Sequence, residues 1–380
     1  MLNTICKIAS DLIKFPSTAT RLKPRRACMD YIEKFFHEAG VPYTIWEPGD
    51  VRSLVVKLGN DPDPVVCLNG HYDVVEAPAS AFRPKREGDR LYGRGSADMK
   101  TSLAAMMALV RELARSPRPP SVALMITGDE EVGGTRGTAH LLKCGFKCGF
   151  ALAAEPTSLA VANQAKGILG VELTAKGVAA HSARPWEGDN AIFSFFRQFP
   201  AVWEIFGEAE PRAWQTTMAP SVLRAGDSVN RIPDRCVCRL DIRYVPMDRP
   251  EELAARIEQA APELVVKVVE QGTAFYTDPA DPFLGCLRRT AAEIMKRDPG
   301  LIRKHAASDA RHFTDAGIPA AVFGPGGEHI HGSGEWVDLR QVAQFYRVME
   351  KFVYEAGKIA SEKNEVHSPP DASRTSTLSV

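Results

Sequence analysis

Short apolar segments that alternate with helical segments are the feature that most limits how this chain can fold. Residues 65–70 (VVCLNG), 121–128 (SVALMITG) and 150–155 (FALAAE) are apolar almost throughout and end in turn residues or charges. Residues 99–116 (MKTSLAAMMALVRELARS) carry apolar side chains at helical spacing, on one side of the helix. Strands buried on both faces have such composition, and parallel strands need crossovers between them. The pattern predicts an α/β fold, a mostly parallel sheet with helices on both faces.

The middle of the chain follows a different order of elements. Residues 167–275 predict strand, helix, two strands, helix and strand, which is the order of a ferredoxin-like domain. We therefore predict a discontinuous α/β domain, residues 1–166 and 276–361, with an inserted ferredoxin-like α+β domain. The polar segment 362–380 is rich in Ser, Thr and Pro, and is predicted to be disordered.

Size and charge narrow the classes of function. At 380 residues the chain exceeds one typical core, which agrees with two domains. Basic and acidic residues both number 47, so no overall charge attracts nucleic acid or an anionic membrane. No apolar run has the length that spans a bilayer, and residues 1–17 predict an amphipathic helix instead of an export signal. We therefore expect a cytoplasmic protein.

Histidines and carboxylates follow directly where the predicted strands end. They are His71 and Asp73 after the first strand, Asp129, Glu130 and Glu131 after the second, Glu155 at the end of the third, and His329 and His331 after the late apolar segment 319–326. Asp98 directly precedes the long helix. Any one of them alone suits an ordinary loop residue. Open parallel sheets build their binding crevice at the carboxyl ends of the strands, so the set together predicts one site.

The residue types in this set indicate divalent metal. Two histidines with several carboxylates suit a divalent metal ion that binds both nitrogen and oxygen ligands, and zinc is the first candidate. The carboxylates exceed what one tetrahedral zinc ion needs, and a carboxylate can bridge two ions about 3.5–4 Å apart. We therefore predict two metal ions that share one carboxylate. In the doublet Glu130–Glu131, one side chain can bind a metal while the other meets the attacking water as general base.

Six motifs resemble, in identity and order, those of the M20 family of zinc metallopeptidases and deacylases, which includes acetylornithine deacetylase, succinyl-diaminopimelate desuccinylase, aminoacylase-1 and carboxypeptidase G. The motifs are GHYDVV (70–75), YGRGSADMK (92–100), TGDEEVGG (127–134), AEPT (154–157), GVAAHSARPWEGDNAI (177–192) and HIHGSGEWV (329–337). The resemblance covers nearly the whole chain, including the inserted domain. It implies a zinc-peptidase-like main domain that carries the catalytic centre.

The resemblance also implies a role for each residue of the predicted site. The metal ligands would be His71 and Glu155 on one zinc ion, Glu131 and His331 on the other, and Asp98 bridging the two. Asp73 would orient His71, and Glu130 would be the general base. His331 is preferred to its neighbour because a glutamate follows four residues later, as in the family. The implied cofactor is two Zn²⁺ per chain, with Co²⁺ or Mn²⁺ as substitutes, and the peptide bond between Asp98 and Met99 would be cis.

In the inserted domain the resemblance points to three further residues. His181 matches a histidine that family members offer across a dimer interface to the reacting carbonyl; the alternative is a surface histidine in a turn. Asn230 and Arg243 match residues that hold the substrate's oxyanion and carboxylate, although Arg243 on a strand also suits a salt bridge. Ser308 and Asp309 resemble a loop at the site, or a helix N-cap. The implied assembly is a homodimer, with the inserted domain as lid and dimerisation domain.

The implied activity is cleavage of the amide of an N-acyl amino acid by metal-activated water. Residues 162–170 (ANQAKGILG) lack the paired arginines that mark the succinyl-diaminopimelate desuccinylases, and favour a deacylase like acetylornithine deacetylase. The alternatives are a dipeptidase or a glutamate carboxypeptidase on the same metal site. A binding protein without catalysis would lack a ligand or the base, and this chain has all of them.

Overall fold

The computed structural model describes residues 1–367, with side chains up to residue 361, and divides them into two compact units. The first unit comprises Met1–Val161, Asp278–Gly300 and the described part of Ile318–Val380. The second comprises Ala162–Thr277 and Leu301–Gly317. Within residues 1–367, no helix has the length and hydropathy that crossing a membrane requires.

Helices and strands alternate along most of the chain. The helices are α1 (Leu2–Ile13), α2 (Leu22–Glu38), α3 (Thr101–Leu113), α4 (Thr138–Lys143), α5 (Ala191–Phe206), α6 (Pro250–Ala260), α7 (Pro282–Met295), α8 (Ala310–Asp315) and α9 (Leu339–His367). The strands are β1 (Tyr43–Trp46), β2 (Ser53–Leu58), β3 (Val66–His71), β4 (Lys85–Glu87), β5 (Arg90–Tyr92), β6 (Val122–Thr127), β7 (Phe150–Ala153), β8 (Val161–Ala165), β9 (Gly167–Lys176), β10 (Thr217–Ala225), β11 (Arg235–Tyr244), β12 (Val265–Gly272), β13 (Phe275–Tyr276), β14 (Leu301–Lys304), β15 (Ala320–Val322), β16 (Gly327–Glu328) and β17 (Trp336–Asp338).

The first unit is built on a sheet with the strand order β1-β2-β6-β3-β7-β15. Strand β3 pairs in parallel with β6 and β7, and β15 pairs in parallel with β7, whereas β1 and β2 are antiparallel additions at one edge. All residues of β3, β6, β7 and β15 are buried, so both faces of these strands are covered. The predicted α/β class with a mainly parallel sheet is confirmed.

Helix α3 is more deeply buried than the sequence pattern predicts. The expected amphipathic helix would expose one side, yet only Arg111 and Glu112 of α3 are partly exposed. The helix contacts the sheet strands β3 and β6 and also packs against α1 and α9. A helix that is apolar around most of its circumference is stable only inside a core, which explains the difference.

The second unit contains an antiparallel sheet with the strand order β10-β11-β9-β12. Its elements follow the order β9, α5, β10, β11, α6, β12, which is the predicted ferredoxin-like order. Alternate residues of β11, from Cys236 to Tyr244, enter a core with α5 and α6. The side chains on the opposite face of β11 are exposed, as Arg235 and Arg239 are, or half-buried, so this sheet packs its helices on one face.

The bounds of the second unit differ from the predicted 167–275. Strand β8 pairs with both β13 and β14, and α8 packs against β13, so Leu301–Gly317 joins the second unit. These pairings link segments far apart in sequence, which no local pattern reveals. Residues 362–367 of the predicted disordered tail belong to α9, which continues to His367. The remainder of that prediction, residues 368–380, lies outside the described residues.

Candidate metal centre

The centre begins with His71, the last residue of the buried strand β3. Its Nδ1 lies 3.0 Å from the main-chain oxygen of Asp73 and 3.4 Å from a carboxylate oxygen of the same residue. A hydrogen bond from Nδ1–H to the main chain leaves the lone pair of Nε2 available to bind a metal ion. Nε2 lies 3.3 Å from Oδ1 of Asp98 and 3.5 Å from Oε1 of Glu155, which follows β7. These three residues form the first candidate metal cluster.

A small antiparallel sheet brings Asp98 and His331 to the same place. Its strand order is β16-β17-β5-β4. Asp98 follows β5, and His331 lies between β16 and β17. Nε2 of His331 lies 3.4 Å from Oδ2 of Asp98 and 3.2 Å from Oε2 of Glu131, and these three residues form the second candidate cluster. The two oxygens of Asp98 therefore face different histidines, as a bridging carboxylate requires. The Asp98–Met99 peptide bond is cis, as the resemblance implied.

The turn after β6 places the two glutamates of the doublet differently. The carboxylate of Asp73 accepts hydrogen bonds from the main-chain N–H groups of Glu130 (3.2 Å) and Glu131 (3.0 Å). Oε2 of Glu131 faces His331, while Oε2 of Glu130 lies 3.9 Å from Nε2 of His71. Asp73 thus holds the turn in addition to its contact with His71. Asp129 instead accepts from the N–H groups of residues 136 and 137, and so shapes the following loop.

Glu335 connects the segments that carry Asp98 and His331, although no role was predicted for it. Its Oε1 accepts from the main-chain N–H groups of Ala97 (2.9 Å) and Asp98 (3.1 Å). Its Oε2 accepts from Gly95 N–H (3.0 Å) and from Nη1 of Arg94 (2.6 Å). The other end of that guanidinium donates to the main-chain oxygens of residues 331 (3.0 Å) and 332 (3.1 Å). The spacing of four residues after His331 was the available signal.

We expect replacement of Glu335 by glutamine to lower the free energy of unfolding by about 3 kcal/mol, because an amide N–H would face donors inside a buried network. Urea unfolding of the metal-free protein measures the loss. The control is Glu328→Gln, an exposed glutamate of β16 in the same hairpin. Unfolding free energies of the two variants that agree within about 0.5 kcal/mol would contradict the role of Glu335.

The charges of the centre fit divalent metal ions. Burial alone would lower the pKa of His71, but hydrogen bonds to the carboxylates of Asp73, Asp98 and Glu155 raise the pKa well above its usual value. The carboxylates of Asp98 and Glu131 raise the pKa of His331 to about 10. The centre therefore attracts positive charge. Oε1 of Glu131 is buried without a hydrogen-bond partner, as expected of a metal-ligand oxygen. Imidazole nitrogens with carboxylate oxygens are a donor set that suits zinc, cobalt or manganese.

The remaining predicted residues lie in the second unit. His181 is exposed in a turn, where its Nδ1 accepts from the N–H group of Ala183 (3.1 Å) and its main chain bridges to Arg231. Asn230 is exposed, and its main-chain oxygen accepts from the N–H group of residue 182 (3.0 Å). Arg243 forms a bidentate pair with Asp241 (2.8 and 3.1 Å), which is the salt bridge named above as its alternative. The catalytic roles of the three residues stay predictions.

Comparison with known proteins places the chain among hydrolases. Residues 67–355 match the family model described as Peptidase family M20/M25/M40. A succinyl-diaminopimelate desuccinylase from Gluconobacter oxydans is 32% identical over 331 residues, which cover 80% of this chain and 85% of the relative. A desuccinylase from Rhodospirillum centenum is 31% identical over 384 residues, which cover 91% and 96%.

Solved structures share the fold at low sequence identity. A tripeptidase from Staphylococcus aureus superposes with a TM-score of 0.79 at 18% identity, over 94% of this chain and 99% of that one. A dinuclear metal-binding peptidase of the M20 family from Bacillus subtilis has a TM-score of 0.70 at 13% identity, over 94% and 98%. The family model spans most of the chain and includes His71, Asp98, Glu155 and His331. This protein is a member of peptidase family M20/M25/M40.

Proposed function

We propose that this protein is a metal-dependent amidohydrolase that cleaves the amide bond of an N-acyl amino acid. One observation carries the proposal: Oδ1 of Asp98 lies 3.3 Å from Nε2 of His71, and Oδ2 lies 3.4 Å from Nε2 of His331. A carboxylate between two histidines, each with a second carboxylate beside it, suits a pair of hydrolytic metal ions. The two desuccinylases named above support an N-acyl amino acid as the substrate.

Each side chain of the site has a separate role in the proposed reaction. Two divalent ions, zinc first, held by the two clusters would polarise the scissile carbonyl and lower the pKa of the attacking water. Glu130 accepts the proton of that water and later donates it to the leaving nitrogen. Asp73 fixes the turn that carries Glu130 through the hydrogen bonds to its main chain. The Nδ1–H group of His71 is held by the main chain, so the ring keeps Nε2 towards the cluster.

Three residues of the second unit have proposed roles in the reaction. We assign to His181 the stabilisation of the oxyanion across a homodimer interface, and to Asn230 and Arg243 the binding of substrate oxygens. The exposure of His181 and Asn230 supports this, because both side chains are open to a partner or ligand. Arg243 would keep its pair with Asp241 while its remaining guanidinium hydrogens bind a carboxylate. The proposal includes a cytoplasmic location and no nucleic-acid or membrane partner.

The acyl group is tested by a hydrolysis screen of N-acetyl, N-succinyl and N-formyl amino acids and simple dipeptides, each with zinc, cobalt and manganese. We expect kcat/KM for the best N-acyl amino acid to exceed that for any dipeptide by more than about tenfold, or 1.4 kcal/mol. The screen also distinguishes an N-acetyl from an N-succinyl substrate. The lack of paired arginines in residues 162–170 favours an N-acetyl substrate, whereas the similarity to desuccinylases favours an N-succinyl substrate.

Two outcomes of the screen would reject the assignment in different ways. Turnover of dipeptides alone would make the protein a peptidase on the same metal site. An absence of turnover with all three metals would favour a binding protein on this fold.

A further inference from the structure

The open face of the sheet in the second unit carries a groove that is lined by three arginines. The groove has a volume of about 430 Å³, and its lining includes Glu172, Val222, Arg224, Arg235, Val237 and Arg239. We call these six residues the arginine groove. Helices α5 and α6 pack on the other face of the sheet, where β11 carries Cys236 and Cys238. The arginine groove is therefore separate from the core of the unit, and its side chains are exposed or half-buried.

The strand register brings the three arginines together on this face. Side chains alternate between the two faces along β11, so Arg235, Val237 and Arg239 share the open face. In the pairing of β10 with β11, Arg224 lies opposite Val237. In the pairing of β9 with β11, Glu172 lies opposite Arg239. Side chains that lie opposite one another on a sheet are close enough to interact, so one small solute can reach several of them.

One carboxylate already lies between two of the arginines. Nε of Arg239 is 3.1 Å from Oε2 of Glu172, and Nη2 of Arg235 is 4.0 Å from Oε1 of the same glutamate. These distances show that the two guanidinium groups can face a single anionic group. Among the side chains of residues 1–361, no carboxylate forms a salt bridge with Arg224, which lines the same groove. The arginine groove therefore has an excess of two positive charges.

The charged residues that adjoin the groove do not cancel this excess. Asp227 and Asp234, on the loop between β10 and β11, bind the guanidinium group of Arg231 at 3.1 and 2.8 Å. Lys176 of β9 and Lys267 of β12 are exposed and lie in register with residues of the groove. The two lysines add to the positive potential of this face, because the loop aspartates already have a cationic partner.

We propose that the arginine groove binds a small organic dianion, a dicarboxylate or a phosphate ester, whose apolar part contacts Val222 and Val237. The planar guanidinium groups of Arg224 and Arg235 can each bind two oxygens of a carboxylate or phosphate. Two negative charges on the ligand match the excess charge of the groove. Its volume of about 430 Å³ suits a small organic molecule, since ligand pockets usually measure about 300–1,000 Å³. Charge and size together favour such a ligand.

Calorimetric titration of the full, zinc-loaded protein measures the binding of succinate, inorganic phosphate and phenyl phosphate at constant ionic strength. We expect phenyl phosphate to bind at least about threefold more tightly than inorganic phosphate, because its ring buries apolar surface against the two valines. Labelling with phenylglyoxal, mapped by peptide mass spectrometry, locates the site among the arginines. Phenyl phosphate should protect Arg224 and Arg235 from labelling. Arg249, an exposed arginine that precedes α6 in the same unit, is the control and should stay labelled.

Two substitutions should change the affinity for phenyl phosphate in opposite directions. We expect Arg224→Gln to raise the dissociation constant by at least about tenfold, since it removes a charged group that binds two oxygens. We expect Glu172→Gln to lower the dissociation constant by about two- to fivefold, because the carboxylate that competes for Arg235 and Arg239 is lost. Arg249→Gln is the matched control and should leave the dissociation constant unchanged.

Saturable binding of succinate, of a phosphate or of both, with these effects of the variants, supports the proposal and identifies the anionic group. An absence of saturable binding would overturn it. A dissociation constant that Arg224→Gln leaves unchanged, or weaker binding by Glu172→Gln, would place the anion elsewhere and also overturn the proposal. Binding is measured without turnover, and both metal clusters belong to the first unit, so the test is independent of the hydrolase assignment.

Discussion

We expect replacement of Glu130 by glutamine to lower kcat by about 10²–10⁴-fold and to leave both metal ions bound. A glutamine side chain has nearly the same shape as glutamate but cannot accept the proton of the attacking water. Glu130 belongs to neither candidate metal cluster, and the turn around it is held by the carboxylate of Asp73. The loss should therefore be in kcat, with little change in metal content.

The measurement combines steady-state kinetics on the best substrate of the screen with metal analysis by mass spectrometry. Glu38→Gln, an exposed glutamate at the end of α2, is the control and should retain wild-type kcat. A Glu130→Gln variant that keeps more than a tenth of wild-type kcat would exclude Glu130 as the general base. Loss of metal in the same variant would instead make Glu130 a ligand.

Asp98 should have the second large effect, on metal binding itself. Its two oxygens face His71 and His331, so Asp98→Ala removes one ligand from each cluster. We expect the metal content to fall from two ions per chain to fewer than one, and kcat to fall by more than about 10²-fold, since metal ions supply several kcal/mol of transition-state stabilisation.

His71→Ala is the control for Asp98→Ala. His71 belongs to the first cluster alone, so its removal should leave Glu131, His331 and Asp98 able to hold one ion. A titration with zinc, followed by mass spectrometry under native conditions, counts the ions in each variant. Equal metal contents in Asp98→Ala and His71→Ala would contradict a shared carboxylate.

The convergence of the site could be predicted because its cause is local. His71 and Glu155 each follow a short apolar segment, and parallel strands bring such positions to one edge of the sheet. Asp98 was found by its place before a strongly patterned helix. In each case a short stretch of sequence predicts a strand or helix, and that strand or helix determines where the side chain lies.

Other features depend on contacts between distant parts of the chain. Glu335 binds the segment of Gly95 from 240 residues away, and no periodicity connects the two. The pairing of β14 with β8, which moves Leu301–Gly317 into the second unit, is equally distant. Such features follow from the assembled tertiary structure, and the local sequence carries little trace of them.

Anomalous diffraction from crystals grown with zinc, recorded on both sides of the zinc absorption edge, tests the two-metal centre most directly. We predict two zinc peaks per chain about 3.5–4 Å apart, with Asp98 in contact with both. One peak should lie about 2.0–2.2 Å from ligand atoms of His71 and Glu155, and the other at the same distance from Glu131 and His331. A single peak, or two peaks that do not share Asp98, would contradict the account.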